Sequence, residues 1–274
     1  MNQFTASLWG DEAFSAILSM KSLPEIISII ARDTSPPLYN ISEHLWFGLF
    51  GSGEVAIRAL SFFYYLIAIF FVYKIGKHLW DKKTAALAAA LTFFNPFFFV
   101  YAFEGRMYSI LAAGVTASMY FFIRKNWVGY VIATALALYS HHFALFAVLI
   151  QFLWFLKEYF WGKKKTAIQI FKSFVVVGIL YSPWLIPLYN QTRMVGGGFW
   201  LGTPTLRDLG KLLLIYLNVG LFALILRRWE KNLGKSIFLV AWFLGPILLT
   251  WGVSQKFQSI FLDRYLLYTI PPAM

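Results

Sequence analysis

The 274-residue sequence contains no cysteine, so disulfides and thiolate metal sites are excluded outright. Charge is also scarce. Only 13% of residues are Asp, Glu, Lys or Arg, against about a quarter in a soluble domain, which argues against a water-facing globular protein. Acidic residues are rarer still, 12 against 24 Lys and Arg. No basic start followed by a continuous apolar segment opens the chain, so no cleavable signal peptide is read there. No internal repeat is convincing.

What remains is apolar and aromatic, 59% hydrophobic with 20% Phe, Trp and Tyr and a mean hydropathy of +0.65. Apolar runs at about 54–73, 84–102, 107–123, 127–140, 142–160, 168–189, 208–226 and 235–254 are each close to the roughly 20 residues that cross a bilayer. Trp80, Trp127, Trp161, Trp184 and Trp229 sit near run ends, where an amphipathic ring suits the headgroup level. Leu262 to Met274 begins a ninth run too short to cross. Residues 1–53 read as a loop with interfacial helices, because Phe14, Ile17, Leu18, Ile26, Ile27, Ile29 and Ile30 recur at helical spacing but are broken by Lys21, Pro24 and Glu25. In Asp33-Thr34-Ser35-Pro36-Pro37, Thr34 or Ser35 is expected to cap a helix whose first turn holds the prolines. That helix, Leu38 to Phe50, carries Glu43 and His44. Asn190 to Arg207, with Gly196-Gly197-Gly198, is expected to be a flexible loop.

Alternating the spans sorts the charges. One side takes Lys74, Lys77, Lys82, Lys83, Arg124, Lys125, Lys157, Lys163, Lys164, Lys165, Lys172, Arg227, Arg228, Lys231 and Lys235, with Asp81, Glu158 and Glu230 as its acids. The other side takes the remaining nine carboxylates, balanced by as many Lys and Arg. Excess Lys and Arg marks the cytoplasmic face, so the carboxylate side is expected to face out of the cytoplasm. The basic pI therefore describes membrane topology, and no nucleic-acid partner is expected.

The outward ends gather Asp11 and Glu12, Asp33, Glu104 with Arg106 and Tyr108, His141 with His142, Arg193, and Asp263-Arg264-Tyr265. Asp11-Glu12 reads as a general base with a companion carboxylate, or as an ordinary acidic first helical turn. Arg106 beside Gly105 can point its planar fork at a phosphate, or pair with Glu104 to tie down the turn. His141 and His142 project about 100° apart, so alone they are not a two-ligand metal site. A divalent cation stays open, and one of the two can instead donate to a phosphate. Arg264 suits a phosphate leaving group or an interface anchor. Arg58 is read as snorkelling to the interface.

Several ordered motifs carry a resemblance. Leu8-Trp9-Gly10-Asp11-Glu12-Ala13, Asp33-Thr34-Ser35-Pro36-Pro37-Leu38-Tyr39, Leu49-Phe50-Gly51 and Arg58-Ala59-Leu60-Ser61 come first. Tyr101 to Tyr108, Tyr139-Ser140-His141-His142-Phe143 and Asp263-Arg264-Tyr265-Leu266 follow. This series resembles bacterial and archaeal members of glycosyltransferase family 39, which are similar to protein O-mannosyltransferases and the lipid A aminoarabinose transferase. The resemblance implies an all-α polytopic transmembrane GT-C fold, with interfacial helices in the first extracytoplasmic loop. It implies inverting transfer of a sugar from a polyprenyl-phosphate donor to a protein, lipid or polysaccharide acceptor, at the outer face of the plasma membrane. Asp11 would be the base or acceptor ligand and Glu12 its companion. Glu104, Arg106 and His142 would line the cavity, and Arg264 would hold the donor phosphate. The family's first span and its C-terminal part are not seen, so the chain is expected to be a piece of a longer protein, truncated at both ends. A carrier or flippase for lipid-linked sugars, and a structural membrane subunit, are the competing readings. The near absence of charge inside the spans disfavours the carrier, which needs ionisable groups near the midplane.

Overall fold

The computed structural model describes residues 3–198, 200–218 and 233–274. Every regular element among them is helical. Three short helices, α1 (Gly10–Ser19), α2 (Leu23–Ile30) and α3 (Leu38–Phe50), precede the long ones. Ser22 and Glu25 close a capping box at the start of α2, with Pro24 in its first turn, where a missing N–H costs nothing. The start of α3 differs from expectation. Its N-cap is Pro37, with no side-chain cap bond, so the two prolines lead into the helix and Thr34 and Ser35 do not cap it.

The long helix α4 (Glu54–Leu79) has 26 residues, about 39 Å of helix at 1.5 Å per residue, more than the hydrocarbon thickness. Asp81 turns the chain back by accepting bonds from Lys83 N and Thr84 N at 2.7 and 3.0 Å, which starts α5 (Lys82–Phe93). The return is tight because Gly76 leaves room. A Cβ there would lie 2.8 Å from Ala85 Cα.

The apolar run 84–102 is not one span. Pro96 cannot donate into the helix, and Asn95 Oδ1 caps Phe98 N at 3.0 Å, so α6 (Pro96–Tyr101) starts afresh. Asn95 Nδ2 also donates to Tyr216 O, 121 residues away, at 3.0 Å.

Helix α7 (Tyr108–Ile123) is the centre of the bundle, with 12 of its 16 residues buried. Small residues bring α8 (Trp127–Ser140) against it, for a Cβ on Gly114 would lie 3.0 Å from Ala137 Cα. Polar side chains also bind these helices inside the apolar slab. Tyr130 donates to Gln151 Oε1 at 2.9 Å, Gln151 donates to Ser118 Oγ at 2.9 Å, and Ser118 meets Thr134 at 2.7 Å. Gln151 belongs to α9 (Ala144–Trp161), so three helices share one satisfied network.

Beyond α9 come α10 (Lys164–Tyr181), a 3-10 turn at Ser182–Trp184, and α11 (Leu185–Gly196). The expected flexible loop therefore starts late, since residues 190–196 are helical. Helix α12 (Leu206–Leu217) opens on a Thr205–Asp208 capping box. The rest of the expected 208–226 span, with Arg227, Arg228, Glu230 and Lys231, lies outside the described residues. Helix α13 (Leu233–Val253) matches the 235–254 run. The last apolar run is not a partial α-helix but 3-10 turns at Asp263–Thr269 and Pro271–Ala273.

Among the described residues, four helical stretches are long and apolar enough to cross a membrane, Glu54–Leu79, Ala144–Trp161, Lys164–Gly196 and Gly234–Val253. Tyr108–Ile123 and Trp127–Ser140 are shorter apolar helices. Of the eight runs read as spans, 84–102 breaks into α5 and α6, 107–123 and 127–140 form short helices, and 208–226 runs beyond the described residues. The protein is a multi-pass membrane protein. Its two ends differ in chemistry. One joins Arg124 to His78 and Lys125 to Thr166 across helices, and the other holds α1, the 104–107 turn and the Asp263–Thr269 segment.

Candidate active site

Glu12, on the first turn of α1, organises the site. Its Oε1 accepts from Gly105 N at 2.8 Å, and its Oε2 accepts from Arg58 Nη2 at 3.0 Å and from Trp9 N at 3.4 Å. It is almost fully buried. Arg58 does not snorkel. It lies 5% exposed, and also donates to the carbonyls of Gln3, Ala6 and Ser7, so it anchors the segment before α1. A sequence signal for this existed. Arg58, Ser61, Tyr65, Ala68 and Val72 follow one another at three- and four-residue steps, and all face the interior of α4.

Fixing Glu12 fixes the 104–107 turn. Gly105 is needed at this close approach, because a Cβ would lie 2.4 Å from Ile57 Cγ2. Arg106 then reaches back to α1, donating to Ser15 Oγ at 2.8 Å and to Asp11 O at 3.2 Å. The side chains of Glu104 and Arg106 form no ion pair, although Arg106 N donates to Glu104 O at 2.7 Å within the turn. Burial raises the Glu104 carboxyl to about 7, opposed in part by the Arg264 and Arg106 charges and reinforced by Glu12 and Asp11.

Asp11, on the other side of α1 and partly exposed, meets Arg264 Nη2 at 3.6 Å. The Arg264 guanidinium lies between two aromatic rings, 5.4 Å from Trp9 and 5.7 Å from Tyr108. Tyr265 packs 6.0 Å from Tyr108 and 4.7 Å from His141. Asp33 is close enough for its charge to bear on the Tyr265 hydroxyl, although burial is the main cause that raises that group.

The site has unmet hydrogen-bonding capacity. Glu104 Oε1, Arg106 Nε, Tyr108 OH and Arg264 Nε are all buried without a partner. Buried polar atoms are nearly always satisfied in folded proteins, so four in one cluster mark a place for a polar ligand or water.

The two histidines part company. His141 is buried, its Nδ1 accepts from Phe143 N at 3.1 Å, and burial holds its pKa well below the usual value. His142 faces another way. Gln191 Nε2 donates to the carbonyls of Ile30 and Ser35, at 2.8 and 3.3 Å. Its Oε1 is therefore left to accept from His142 Nε2 at 2.6 Å, and His142 Nδ1 accepts from Tyr181 OH at 3.2 Å. Both ring nitrogens are used, and the chain of bonds ties α11 to the loop carrying Asp33. Arg193, on the same helix, instead lies 5.8 Å from the Tyr189 ring.

Two buried groups were not singled out in the sequence. Gln191 is one, and nothing local distinguishes it. Glu43 is the other, fully buried on α3, accepting from Ser19 Oγ at 2.7 Å and Tyr39 OH at 3.1 Å. Its placement one turn after Tyr39 was the available signal. Asn40 and His44 add bonds to Ser15 O, Ser19 Oγ and Ser19 O, so α3 clasps α1 along its length.

No group of three or more His, Asp or Glu able to hold a metal ion occurs among the described residues. Glu12 is committed to Arg58 and to backbone and Asp11 faces Arg264, which leaves Glu104 as the one carboxylate of the cluster with an unengaged oxygen, so this donor set does not fit a resident divalent cation.

Residues 34–186 match the family model described as dolichyl-phosphate-mannose-protein mannosyltransferase. Two solved structures of ArnT from Cupriavidus metallidurans share the fold. The apo form superposes with a TM-score of 0.74 at 17% identity, over 98% of this chain and 54% of that one. The form bound to undecaprenyl phosphate gives 0.71 at 15% identity, over 98% and 55%. The chain thus spans about half the length of these structures. No curated protein sequence matches it.

Proposed function

This chain belongs to the dolichyl-phosphate-mannose-protein mannosyltransferase family, and on that premise we propose that it is the site-bearing part of a glycosyltransferase using a polyprenyl-phosphate sugar donor. The supporting observation is the cluster of Glu104, Arg106, Tyr108 and Arg264, each with a buried polar atom left unused, gathered beside Asp11. ArnT, whose fold this chain shares, has been solved with undecaprenyl phosphate, a donor of the same chemical class once its sugar has left.

Arg264 is the residue for the donor phosphate. Its planar fork suits a phosphate, and the flanking rings of Trp9 and Tyr108 hold it in place. On donor binding the guanidinium exchanges its contact with Asp11 for the phosphate, which frees Asp11 to act as base. The acceptor hydroxyl then gives its proton to Asp11, and its oxygen forms a bond to the anomeric carbon from the face opposite the phosphate. The bond from that carbon to the phosphate oxygen breaks, with inversion, and the charge left on the phosphate is met by Arg264 and Arg106. Alignment and charge stabilisation supply most of the effect, because a lipid phosphate is already a good leaving group. Glu104, raised to about 7 by burial, can carry a proton near neutral pH and donate it to a phosphate or sugar oxygen.

Glu12 acts by positioning. Both its oxygens are engaged, and they hold the 104–107 turn and Arg58. Asp33 is near enough for its charge to bear on Tyr265, and His141 packs against the same ring. The site end faces out of the cytoplasm in this reading, since Lys and Arg crowd the opposite end. The acceptor is a hydroxyl of a protein, lipid or polysaccharide.

The test uses the full-length protein with a labelled polyprenyl-phosphate sugar, with and without Asp11→Asn. Loss of transfer with donor binding retained supports the proposal. Undiminished transfer removes Asp11 from the chemistry, and sugar crossing vesicles without a new glycosidic bond makes the protein a carrier.

A further inference from the structure

The end opposite the site carries a cavity, and we propose that it is a binding site for an anionic diacyl phospholipid of the leaflet on that side. The cavity, of about 310 Å³, lies between the α7–α8 turn, α9, α10 and the start of α13. Its mouth holds Lys125 and Lys235, its wall Trp127 and Trp154, and its floor Phe122 and Phe238. Basic at the rim and apolar below, this arrangement matches a lipid, with the phosphate at the headgroup level and a chain along the aromatics.

Three observations separate this cavity from an ordinary solvated rim. Lys125 has φ +56°, the one positive φ outside glycine among the described residues, and this turn geometry brings its Nζ to 3.5 Å from Thr166 Oγ1 across the mouth. Lys235 donates to Leu79 O, which fixes its ammonium at the cavity edge with donors to spare. Glu158, the one acid of the lining among the described residues, forms no ion pair with either lysine. Its Oε2 accepts from Lys163 N at 3.3 Å, in the α9–α10 turn. A further cation, Lys157, stacks 3.8 Å over Trp154 and adds to the positive field at the wall.

A free phosphate would satisfy the lysines and leave the aromatic floor empty, whereas a phospholipid uses both. A zwitterionic lipid fills the floor but carries its own ammonium to the lysines. The proposal is independent of the transferase reading, because no residue of the cavity belongs to the Arg264 cluster.

The experiment is native mass spectrometry of the protein released from nanodiscs of phosphatidylglycerol mixed equally with phosphatidylcholine. The expected result is retention of phosphatidylglycerol over phosphatidylcholine by about tenfold, lost in the Lys125→Gln/Lys235→Gln double variant. Because Lys235 also caps α4, Lys125→Glu serves as a second variant at an exposed position, and it too abolishes the preference. Equal retention of both lipids, or a preference untouched by Lys125→Glu, overturns the proposal. So does displacement of the bound lipid by millimolar inorganic phosphate, which would show a headgroup site without the apolar part.

Discussion

Arg58 and Glu12, 46 residues apart, form an ion pair at 3.0 Å with side-chain exposures of only 6% and 2%. Three backbone carbonyls also accept from Arg58, and Gly105 N donates to Glu12. Removing one partner of such a pair strands a buried charge, which costs about 3–5 kcal/mol. Arg58→Ala and Glu12→Gln are therefore expected to lower thermal stability strongly in detergent. A melting temperature no lower than that of a surface control such as Lys83→Ala would show that the pair does not hold α1.

Glu43 gives stability a pH dependence. Its folded pKa is raised to about 7 by burial, against hydrogen bonds from Ser19 and Tyr39 and the Arg106 charge that lower it, with Glu12 adding to the rise. A carboxyl raised on folding binds its proton more tightly in the folded state. Its contribution is fully present below the unfolded value of 4.5 and is lost as pH rises through about 7. The loss is on the order of 3 kcal/mol at one pKa unit per 1.36 kcal/mol. Melting temperatures from pH 4.5 to 8 should fall for the native protein, and Glu43→Gln should flatten the curve and gain stability at pH 8. A slope unaltered by Glu43→Gln would assign the titration elsewhere, Glu104 being the next group to change.

The Gln191 amide holds the Asp33 loop through the carbonyls of Ile30 and Ser35. Gln191→Leu removes the partner of Ser35 O and of His142 Nε2, and leaves Ile30 O with only its backbone bond from Asp33 N, a cost of about 1–3 kcal/mol in local opening. Arg32, exposed in that loop, should then be cut faster by trypsin, by on the order of tenfold. Unchanged cleavage at Arg32, with cleavage elsewhere also unchanged, would mean that the loop is held by packing alone.

Arg264 and Asp11 are expected to act in opposite directions on lipid phosphate. Losing a charged hydrogen-bond donor costs about 1.5–3 kcal/mol, so Arg264→Ala should weaken undecaprenyl phosphate binding roughly 10- to 100-fold. Asp11→Asn removes the carboxylate that competes for the guanidinium and should tighten binding. Equal affinities for Arg264→Ala and the native protein, measured by equilibrium binding in detergent, would move the phosphate away from Arg264.

The apolar runs, the charge asymmetry and the order of the motifs determined the class of this protein from the sequence alone. Hydrophobic length and the placement of Lys and Arg are local properties that a bilayer reads directly. Asp11, Glu104, Arg106, Tyr108 and Arg264 could be collected for the same reason, as polar residues at the ends of spans on one side. What each of them does was decided by contacts between distant segments. Arg58 looked like a residue snorkelling to the interface, and only the contact of α1 with α4 shows it buried against Glu12. In the sequence His142 reads as lining the cavity, and only the fold shows Gln191, 49 residues later, on one ring nitrogen and Tyr181 on the other. The break at Asn95 was half legible, since Pro96 forbids a continuous helix, but the bond to Tyr216 that makes the break a fixed corner spans 121 residues. Burial, and with it the raised carboxyls of Glu43 and Glu104, is a property of neighbours brought by the fold, and no local pattern contains it.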